Sequence, residues 1–198
     1  MELNEKTIQV NEVFPGRLIK VYSDDVELPN GDHTKREVVR HPGGATVCAI
    51  DGDLNVAMVR QFRYAYGTTV LELPAGKLEK GEDPYEAAMR ELREETGLVA
   101  DELLPLGEMY PSPGYTDEII YMYLAIHVQQ EKQDLDKDEF VNVEKIPFGE
   151  ALQMVMQGGI LDGKSQIAIL KSYLILDQLN QKAMEVMAAE EAGGGVRQ

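Results

Sequence analysis

Three glutamates at helical spacing are the residues of this chain whose types and positions could do chemistry. Glu91, Glu94 and Glu95 stand at i, i+3 and i+4, which places three carboxylates within an arc of roughly 100° on one face of a helix. Like charges at this spacing repel and lower the stability of the helix. A hard divalent cation bound by their oxygens would account for the cluster, and a solvated acidic face is the alternative. Arg90 and Arg93 are expected to point away from this face, so the spacing leaves both interpretations open.

Local sequence signals predict the helix that carries these acids. Asp83 is a good N-cap, and Pro84 then falls at the first helical position, where its missing N–H does no harm. Glu86 stands three residues after Asp83, which is the spacing of a capping box. Gly97 fits the left-handed residue that ends a helix. We therefore predict a helix over residues 84–96.

The segment from residue 76 to residue 98 resembles a known family motif, the Nudix box. It follows the pattern G-x5-E-x7-R-E-U-x-E-E-x-G-U, in which U is aliphatic, at every fixed position. These positions are Gly76, Glu82, Arg90, Glu91, Leu92, Glu94, Glu95, Gly97 and Leu98. The resemblance implies hydrolysis of a nucleoside diphosphate linked to another moiety, with about two or three Mg²⁺ ions per site that Mn²⁺ can replace. It also implies an α/β fold, an α/β/α sandwich around a mixed sheet in which the box forms loop, helix and loop.

Segments outside the box resemble the ADP-ribose pyrophosphatase branch of this family. Pro113 lies 16 residues after Gly97 within the pattern S-P-G-x-x-x-E, and residues 35–37, 61–63 and 71–76 are similar as well. The likeness runs from about residue 5 to residue 180. It implies that ADP-ribose and water give AMP and ribose 5-phosphate. Hydrolysis of another nucleotide sugar or a dinucleotide, and a non-catalytic nucleotide-binding module, are the alternatives.

The resemblance also implies a role for each matching residue. The expected metal ligands are the carboxylates of Glu82, Glu91, Glu94 and Glu95 and the backbone carbonyl of Ala75. The expected catalytic residues are Glu94, Arg90 as an ion-pairing support of the carboxylates, and Glu139 as the general base. The expected substrate-binding residues are Arg63, Glu118, Gly114, Arg36 and Glu37.

Each of these roles has a plainer alternative. Asp138 or Glu94 could be the base in place of Glu139, and the loop that holds Glu139 could be only a solvated acidic segment. Arg63 could be a surface cation, and Glu118 could cap a loop. The Arg36 and Glu37 side chains could be ordinary charges on the face of a strand, and Gly114 could serve only a turn.

Composition limits the classes of partner. The 35 acidic and 19 basic residues give a formal net charge of −16, which argues against nucleic acid because duplex binding relies on Lys and Arg. No apolar run approaches the roughly 18 residues of a membrane span, and no signal peptide is recognisable. The single cysteine, Cys48, lies in an apolar run and is expected to be buried in a cytoplasmic protein. The residues His33, His41 and His127 are expected to be structural or solvent-facing.

The predicted elements divide the chain into two parts and a tail. A strand over 17–28, a turn at 29–31 and a returning strand from residue 37 form an antiparallel β-hairpin subdomain, residues 1–42. The hydrolase domain, residues 43–189, is predicted to have strands near 45–50, 54–60, 69–73, 103–109, 119–128 and 140–146 and helices near 148–157 and 166–188. Residues 190–198 are expected to form a disordered tail. The resemblance implies a homodimer that exchanges the hairpin, and the sequence also allows a monomer.

Overall fold

Two main β-sheets and three helices form the computed structural model of this protein, which describes residues 3–135, 137 and 140–193. In chain order the elements are β1 (Lys6–Gln9), β2 (Glu12–Pro15), β3 (Lys20–Glu27), β4 (His33–Arg40), β5 (Gly44–Ile50), β6 (Asn55–Arg63), β7 (Thr68–Glu72), β8 (Ala75–Lys77), α1 (Pro84–Thr96), β9 (Leu98–Val99), β10 (Leu104–Met109), β11 (Ile120–Ile126), β12 (Gln129–Gln130), β13 (Val141–Pro147), α2 (Phe148–Met156) and α3 (Gly163–Gly193). A single 3-10 turn, Tyr64–Tyr66, joins β6 to β7.

The larger sheet has seven strands and is mixed. Its order is β10-β11-β5-β6-β13, with β7 also paired to β6 and β8 also paired to β5. The β11–β5 pair is parallel, and every other pair in this sheet is antiparallel. All seven residues of β5 are buried, as expected for a strand that is covered on both faces.

Helices cover both faces of this sheet. Cys48 and Ile50 of β5 pack into an apolar cluster with residues of α2 and α3, whereas Val47 and Ala49 pack into a second cluster with α1. Alternate side chains of a strand point to opposite faces, so the two clusters are the two sides of an α/β/α sandwich. The predicted fold class is therefore confirmed. Burial raises the pKa of Cys48 to about 12, in agreement with its predicted structural role.

The smaller sheet contains the predicted N-terminal hairpin. Strand β3 pairs with β4 along eight positions, and the turn between them includes Gly31 at a φ of +88°. The sequence-based prediction began the first strand at residue 17, which is too early, because residues 16–19 link β2 to β3. Strands β1 and β2 pair with the other edge of β3 and were not predicted. Both are four residues long and exposed, so they lack the alternating burial pattern that marks a strand in sequence.

The end of β4 is tied to the segment that precedes β11. The Val39 N–H donates to the Tyr115 carbonyl at 2.7 Å, and the Asp117 N–H donates to the Val39 carbonyl at 3.2 Å. The Arg40 guanidinium donates to the Asp117 carboxylate at 3.1 Å. The smaller sheet is thereby held against the segment in which Glu118 was predicted to bind substrate.

The two C-terminal helices agree with their predicted positions except at the ends of α3. This helix begins three residues earlier than predicted, at Gly163, because Asp162 caps it through the Ser165 N–H. It extends to Gly193, so residues 190–193 of the predicted tail are helical, and residues 194–198 lie outside the described part of the chain. Among the described helices, none is both long enough and apolar enough to cross a membrane.

Candidate active site

Helix α1 begins and ends as its sequence predicts. The Asp83 carboxylate accepts the Tyr85 N–H at 2.9 Å, and Pro84 occupies the first turn. Gly97 follows the helix at a φ of +68°, where its N–H reaches the Arg93 carbonyl. These local contacts fix the residues at which the helix begins and ends.

Arg90 lies at the centre of the acidic cluster. Its Nε and Nη2 atoms donate to the two Glu82 oxygens at 2.8 and 3.0 Å. Its Nη1 atom donates to Glu91 Oε1 at 2.7 Å and to Glu94 Oε2 at 3.0 Å. The expectation that Arg90 points away from the acids is therefore wrong, since its long side chain folds back over them. The ion pairing that the resemblance implied for Arg90 is present.

These contacts change the acid–base properties of the cluster. The hydrogen bonds to Glu82, and then to Glu91, hold the pKa of Arg90 well above its usual value. The hydrogen bond from Arg90 lowers the pKa of Glu82 in return. The lowered pKa of Glu82 favours its ionised carboxylate, which is the form that binds a cation.

Two of the acids also reach strand β8. The Glu91 carboxylate is buried beside Gly76, where an added Cβ atom would lie 1.8 Å from Glu91 Oε1. The Glu95 carboxylate is buried as well and accepts the Ala75 N–H at 2.8 Å. Gly76 thus leaves the space that the Glu91 carboxylate fills, which explains why this position needs a glycine.

The donor set fits a hard divalent cation by its chemistry. Carboxylates and backbone carbonyls are the ligands that Mg²⁺ and Ca²⁺ prefer, and the carboxylates of Glu82, Glu91 and Glu94 converge on one point, the Arg90 guanidinium. Within the described residues, no three His, Cys, Asp or Glu side chains are arranged to hold a metal ion. In this structure the Arg90 guanidinium supplies the positive charge around which the carboxylates of Glu82, Glu91 and Glu94 gather.

A cleft of about 610 Å³ opens beside this cluster. Strands β5 to β8, the segment before β11 and the start of α3 supply its walls. The predicted site residues among its lining are Arg63, Ala75, Glu95 and Glu118, together with Gly76 of the box. The fold therefore brings part of the box and part of the predicted substrate site to one cavity.

Arg63 is held on the cleft wall by a buried carboxylate. Its Nε and Nη2 atoms each donate to Glu72 at 2.6 Å, and Lys164 Nζ donates to the same carboxylate at 2.5 Å. Burial raises the pKa of Glu72, but the hydrogen bond from Arg63 and the charge of Lys164 outweigh it and keep the pKa below its usual value. Arg63 is therefore more than a surface cation, and neither Glu72 nor Lys164 was predicted as a site residue.

Glu118 meets a histidine that the sequence did not mark as functional. Its Oε1 atom lies 3.4 Å from His41 Nδ1, and both residues line the cleft. The same His41 nitrogen accepts the Gly43 N–H at 3.1 Å. The signal that could have identified His41 is its place at the junction of the two predicted domains, since clefts often form there.

The remaining predicted substrate residues lie elsewhere in the described chain. Arg36 is on the smaller sheet, where its Nη2 and Nε atoms donate to the Glu5 carboxylate at 2.6 and 2.9 Å. Glu37 stands opposite Ser23 in the same sheet, and Gly114 lies in an exposed turn. None of Arg36, Glu37 and Gly114 is among the described residues that line the cleft. The predicted base Glu139 and its alternative Asp138 lie outside the described residues.

Two curated proteins match nearly the whole chain. The chain is 45% identical over 181 residues to an ADP-ribose pyrophosphatase of Bacillus subtilis (strain 168), covering 90% of this chain and 97% of that protein. It is also 45% identical over 176 residues to a methanol dehydrogenase activator of Bacillus methanolicus, covering 88% and 94%. The likeness to these relatives therefore extends over most of the chain.

A solved structure and a family model agree with this likeness. The crystal structure of an ADP compounds hydrolase matches with a TM-score of 0.79 and 23% identity over 90% of this chain and 98% of that chain, which supports the fold. The model of the NUDIX domain matches residues 40–161, a range that contains the box, the larger sheet and most of the residues that line the cleft. The resemblance found in the sequence is confirmed, and the chain belongs to the NUDIX family.

Proposed function

We propose that this protein hydrolyses ADP-ribose to AMP and ribose 5-phosphate with Mg²⁺ as cofactor. The observation that carries the proposal is that one cleft contains the box acid Glu95, the cation Arg63 and the carboxylate of Glu118. A diphosphate with a ribose at its end needs these three kinds of group. The 45% identity to a Bacillus subtilis protein named ADP-ribose pyrophosphatase supports the choice of substrate.

The box residues would hold the metal. We assign this role to the Glu82, Glu91, Glu94 and Glu95 carboxylates and the Ala75 carbonyl, with two or three ions per site. Bound divalent ions would offset the negative charge of the diphosphate and make the attacking water more acidic. Arg90 keeps three of these carboxylates together, a supporting role that metal sites commonly use to orient their ligands.

We assign the general base to a residue outside the Nudix box. Glu139 remains our first choice, with Asp138 and Glu94 as alternatives, because the loop around residue 139 follows the box and is rich in acids. General-base catalysis typically contributes about 10²–10⁴-fold. A fall in kcat of less than about tenfold in Glu139→Gln would therefore move the role to another residue.

The substrate contacts follow from charge. The net charge of −16 repels a diphosphate, so a cation at the cleft wall must offset it locally, and Arg63 has this position. Glu118 can accept hydrogen bonds from ribose hydroxyls, and we assign the backbone of Gly114 to the same end of the ligand. In this proposal Arg63 binds the phosphates, and Glu118 with Gly114 binds the terminal sugar.

We further propose a cytoplasmic homodimer in which the smaller sheet is exchanged between subunits. Strands β1 and β2 and the residues beside them carry Ile8, Val10, Val13 and Phe14, each about half exposed or more. An exposed apolar patch on a small sheet is typical of a surface that meets another protein. In such a dimer Arg36 and Glu37 would contact the substrate in the cleft of the partner subunit.

Product analysis tests the substrate. ADP-ribose, ADP-glucose, GDP-mannose and NADH would be compared at equal concentration, once with Mg²⁺ and once with EDTA. We expect AMP and ribose 5-phosphate from ADP-ribose with the highest kcat/KM, and no turnover in EDTA. A higher kcat/KM for another compound would contradict the proposed substrate, and full activity in EDTA would contradict the metal.

A second candidate function comes from the Bacillus methanolicus relative. The identity to this methanol dehydrogenase activator, 45%, equals the identity to the pyrophosphatase. We therefore propose that the protein also activates a methanol dehydrogenase. The test is to add the purified protein to a methanol dehydrogenase assay, with Glu94→Gln as the inactive control. An unchanged dehydrogenase rate would contradict this second function, and the proposal that the protein hydrolyses ADP-ribose would still stand.

A further inference from the structure

Lys164 is a buried cation of the cleft that lies outside the box. It stands in the first turn of α3 with a side chain only 10% exposed. Its Nζ atom lies 2.5 Å from Glu72 Oε2 and 3.0 Å from Asp162 Oδ2. Lysine is rarely this buried unless it is paired, and here Glu72 and Asp162 supply the pairing.

The backbone around Lys164 is held independently of its charge. The Asp162 carboxylate accepts the Ser165 N–H at 3.0 Å and the Ser165 hydroxyl at 2.6 Å. The Leu73 N–H donates to the same hydroxyl oxygen at 2.7 Å. These bonds fasten the first turn of α3 to the residue that follows Glu72, so they remain when only the ammonium group is removed.

Glu72 connects Lys164 to Arg63. The Glu72 side chain is 3% exposed and takes two parallel hydrogen bonds from the Arg63 guanidinium. The Arg63 side chain itself is 40% exposed on the cleft wall, and its hydrogen bonds to Glu72 come from the Nε and Nη2 atoms. The outer N–H groups of a guanidinium held this way form a fork that suits a phosphate oxygen pair.

We propose that Lys164 is a positioning residue for substrate binding, which acts through Glu72 to fix the Arg63 guanidinium with its outer N–H groups toward a phosphate in the cleft. This role rests on one part of the proposed function, namely that the ligand bound in the cleft carries phosphate. A side chain that is already ordered loses less entropy when it binds a ligand. The lowered pKa of Glu72 agrees with this role, because the carboxylate must be ionised to hold Arg63.

The first test compares KM and kcat in Lys164→Met. Without the Lys164 ammonium group, Glu72 should hold the Arg63 guanidinium less firmly. We therefore expect KM to rise about tenfold and kcat to change less than about twofold. Lys164→Arg keeps the charge and should restore most of the lost affinity. Lys145→Met is the matched control, since Lys145 binds Asp51 at 3.1 Å outside the cleft, and its KM should equal that of wild type. An unchanged KM in a folded Lys164→Met protein would overturn the proposal.

A double variant separates positioning from an independent contact. If Lys164 acts through Arg63, Lys164→Met should raise KM by less than about twofold when Arg63→Met is already present. If the two effects multiply instead, Lys164 acts without Arg63 and the proposal is overturned. Lys164→Gln, which keeps a polar side chain, serves in the same comparisons should Lys164→Met not fold.

Binding of inorganic pyrophosphate keeps this test independent of the substrate. Calorimetry with wild type and the same variants should give about tenfold weaker binding for Lys164→Met and wild-type binding for Lys145→Met. Failure of wild type to hydrolyse ADP-ribose would overturn the proposed function and leave this comparison intact. Equal binding of pyrophosphate by wild type and Lys164→Met would overturn the role of Lys164 whichever nucleotide the protein hydrolyses.

Discussion

At the scale of single residues, the neighbouring glutamates on the acidic face of α1 repel one another, and a bound cation would offset this repulsion. Glu94 contacts Arg90 at 3.0 Å and lies beside Glu91 and Glu95. If a divalent ion is held there, Glu94→Gln should lower kcat by about 10²-fold or more, because one charged carboxylate ligand of that ion is lost. The measurement is steady-state kinetics with ADP-ribose. Glu86→Gln, an exposed change on the same helix, should keep wild-type kcat.

The kcat values of Glu94→Gln and Glu86→Gln can be compared only if both variants are folded. The melting temperature of Glu94→Gln should stay close to that of wild type, because relief of repulsion among the neighbouring carboxylates offsets the lost ion pair with Arg90. A folded Glu94→Gln protein with wild-type kcat would contradict the metal role of this residue. A similar loss of kcat in Glu86→Gln would mean that the helix as a whole, and not the box acid, was affected.

Gly76 offers a second prediction at the residue scale. A Cβ atom at this position would lie 1.8 Å from Glu91 Oε1 and 2.4 Å from Oε2, so Gly76→Ala must displace the carboxylate. Because the displaced group is the end of a flexible side chain, we expect a loss of kcat of at least about tenfold with a stability cost of only roughly 1–2 kcal/mol. Gly52→Ala is the control, since an added Cβ atom meets nothing within 4 Å there. Equal activity of the two variants would contradict the tight fit of Glu91 against β8.

At the scale of elements, the buried Glu72 carboxylate joins β6, β7 and α3. Its pKa lies below the ordinary value of 4.5 in the folded protein, so its stabilising contribution is complete above that pH and is lost as the pH falls through the folded pKa. Glu72→Gln should therefore lower stability by roughly 2 kcal/mol at pH 7. The difference in melting temperature between wild type and Glu72→Gln should shrink as the pH falls below 4.5. Thermal unfolding at pH 7 and in acid measures both values.

A control distinguishes this effect from general acid sensitivity. Glu86→Gln, which changes an exposed carboxyl group, should follow wild type at each pH. A constant difference between Glu72→Gln and wild type across the whole range would contradict the assigned ion pair with Arg63 and Lys164.

The elements differ in how far their sequence could reveal them. Helix α1 was predicted over the residues at which it occurs, because Asp83, Pro84 and Gly97 act on the backbone next to them. Strands β1 and β2 were missed because their side chains are exposed and their partner, β3, defines them. Local signals therefore predict an element well when its ends are chemically marked, and poorly when tertiary pairing alone forms it.

At the scale of the whole molecule, the predictable part of the site is the part that is contiguous in sequence. The box acids lie within one loop and one helix, so their spacing revealed the acidic cluster and the family resemblance suggested its chemistry. Glu72 and Lys164 are 92 residues apart and meet only because α3 begins at the end of β7. His41 reaches Glu118 because β4 runs against the segment before β11. Contacts of this kind depend on the topology of the sheet, which no local pattern records.

Exchange of the smaller sheet would build each site from two subunits. If the smaller sheet is exchanged, Arg36 of one protomer would serve the box of its partner, so Arg36→Glu and Glu94→Gln should each lower activity when tested alone. Mixed and allowed to exchange subunits, they should recover activity, because each heterodimer would hold one complete site. Random pairing makes half of the dimers mixed, so about a quarter of wild-type activity is expected.

The matched control for the mixture is a pair of variants within one box. Glu91→Gln mixed with Glu94→Gln should recover nothing, since every site would then contain one altered box. No recovery from the Arg36→Glu mixture, in a protein that light scattering identifies as a dimer, would contradict the exchange because Arg36 would then act within its own chain. A monomer by light scattering would contradict the dimer itself, and the exposed Val13 and Phe14 side chains would then need another partner to cover them.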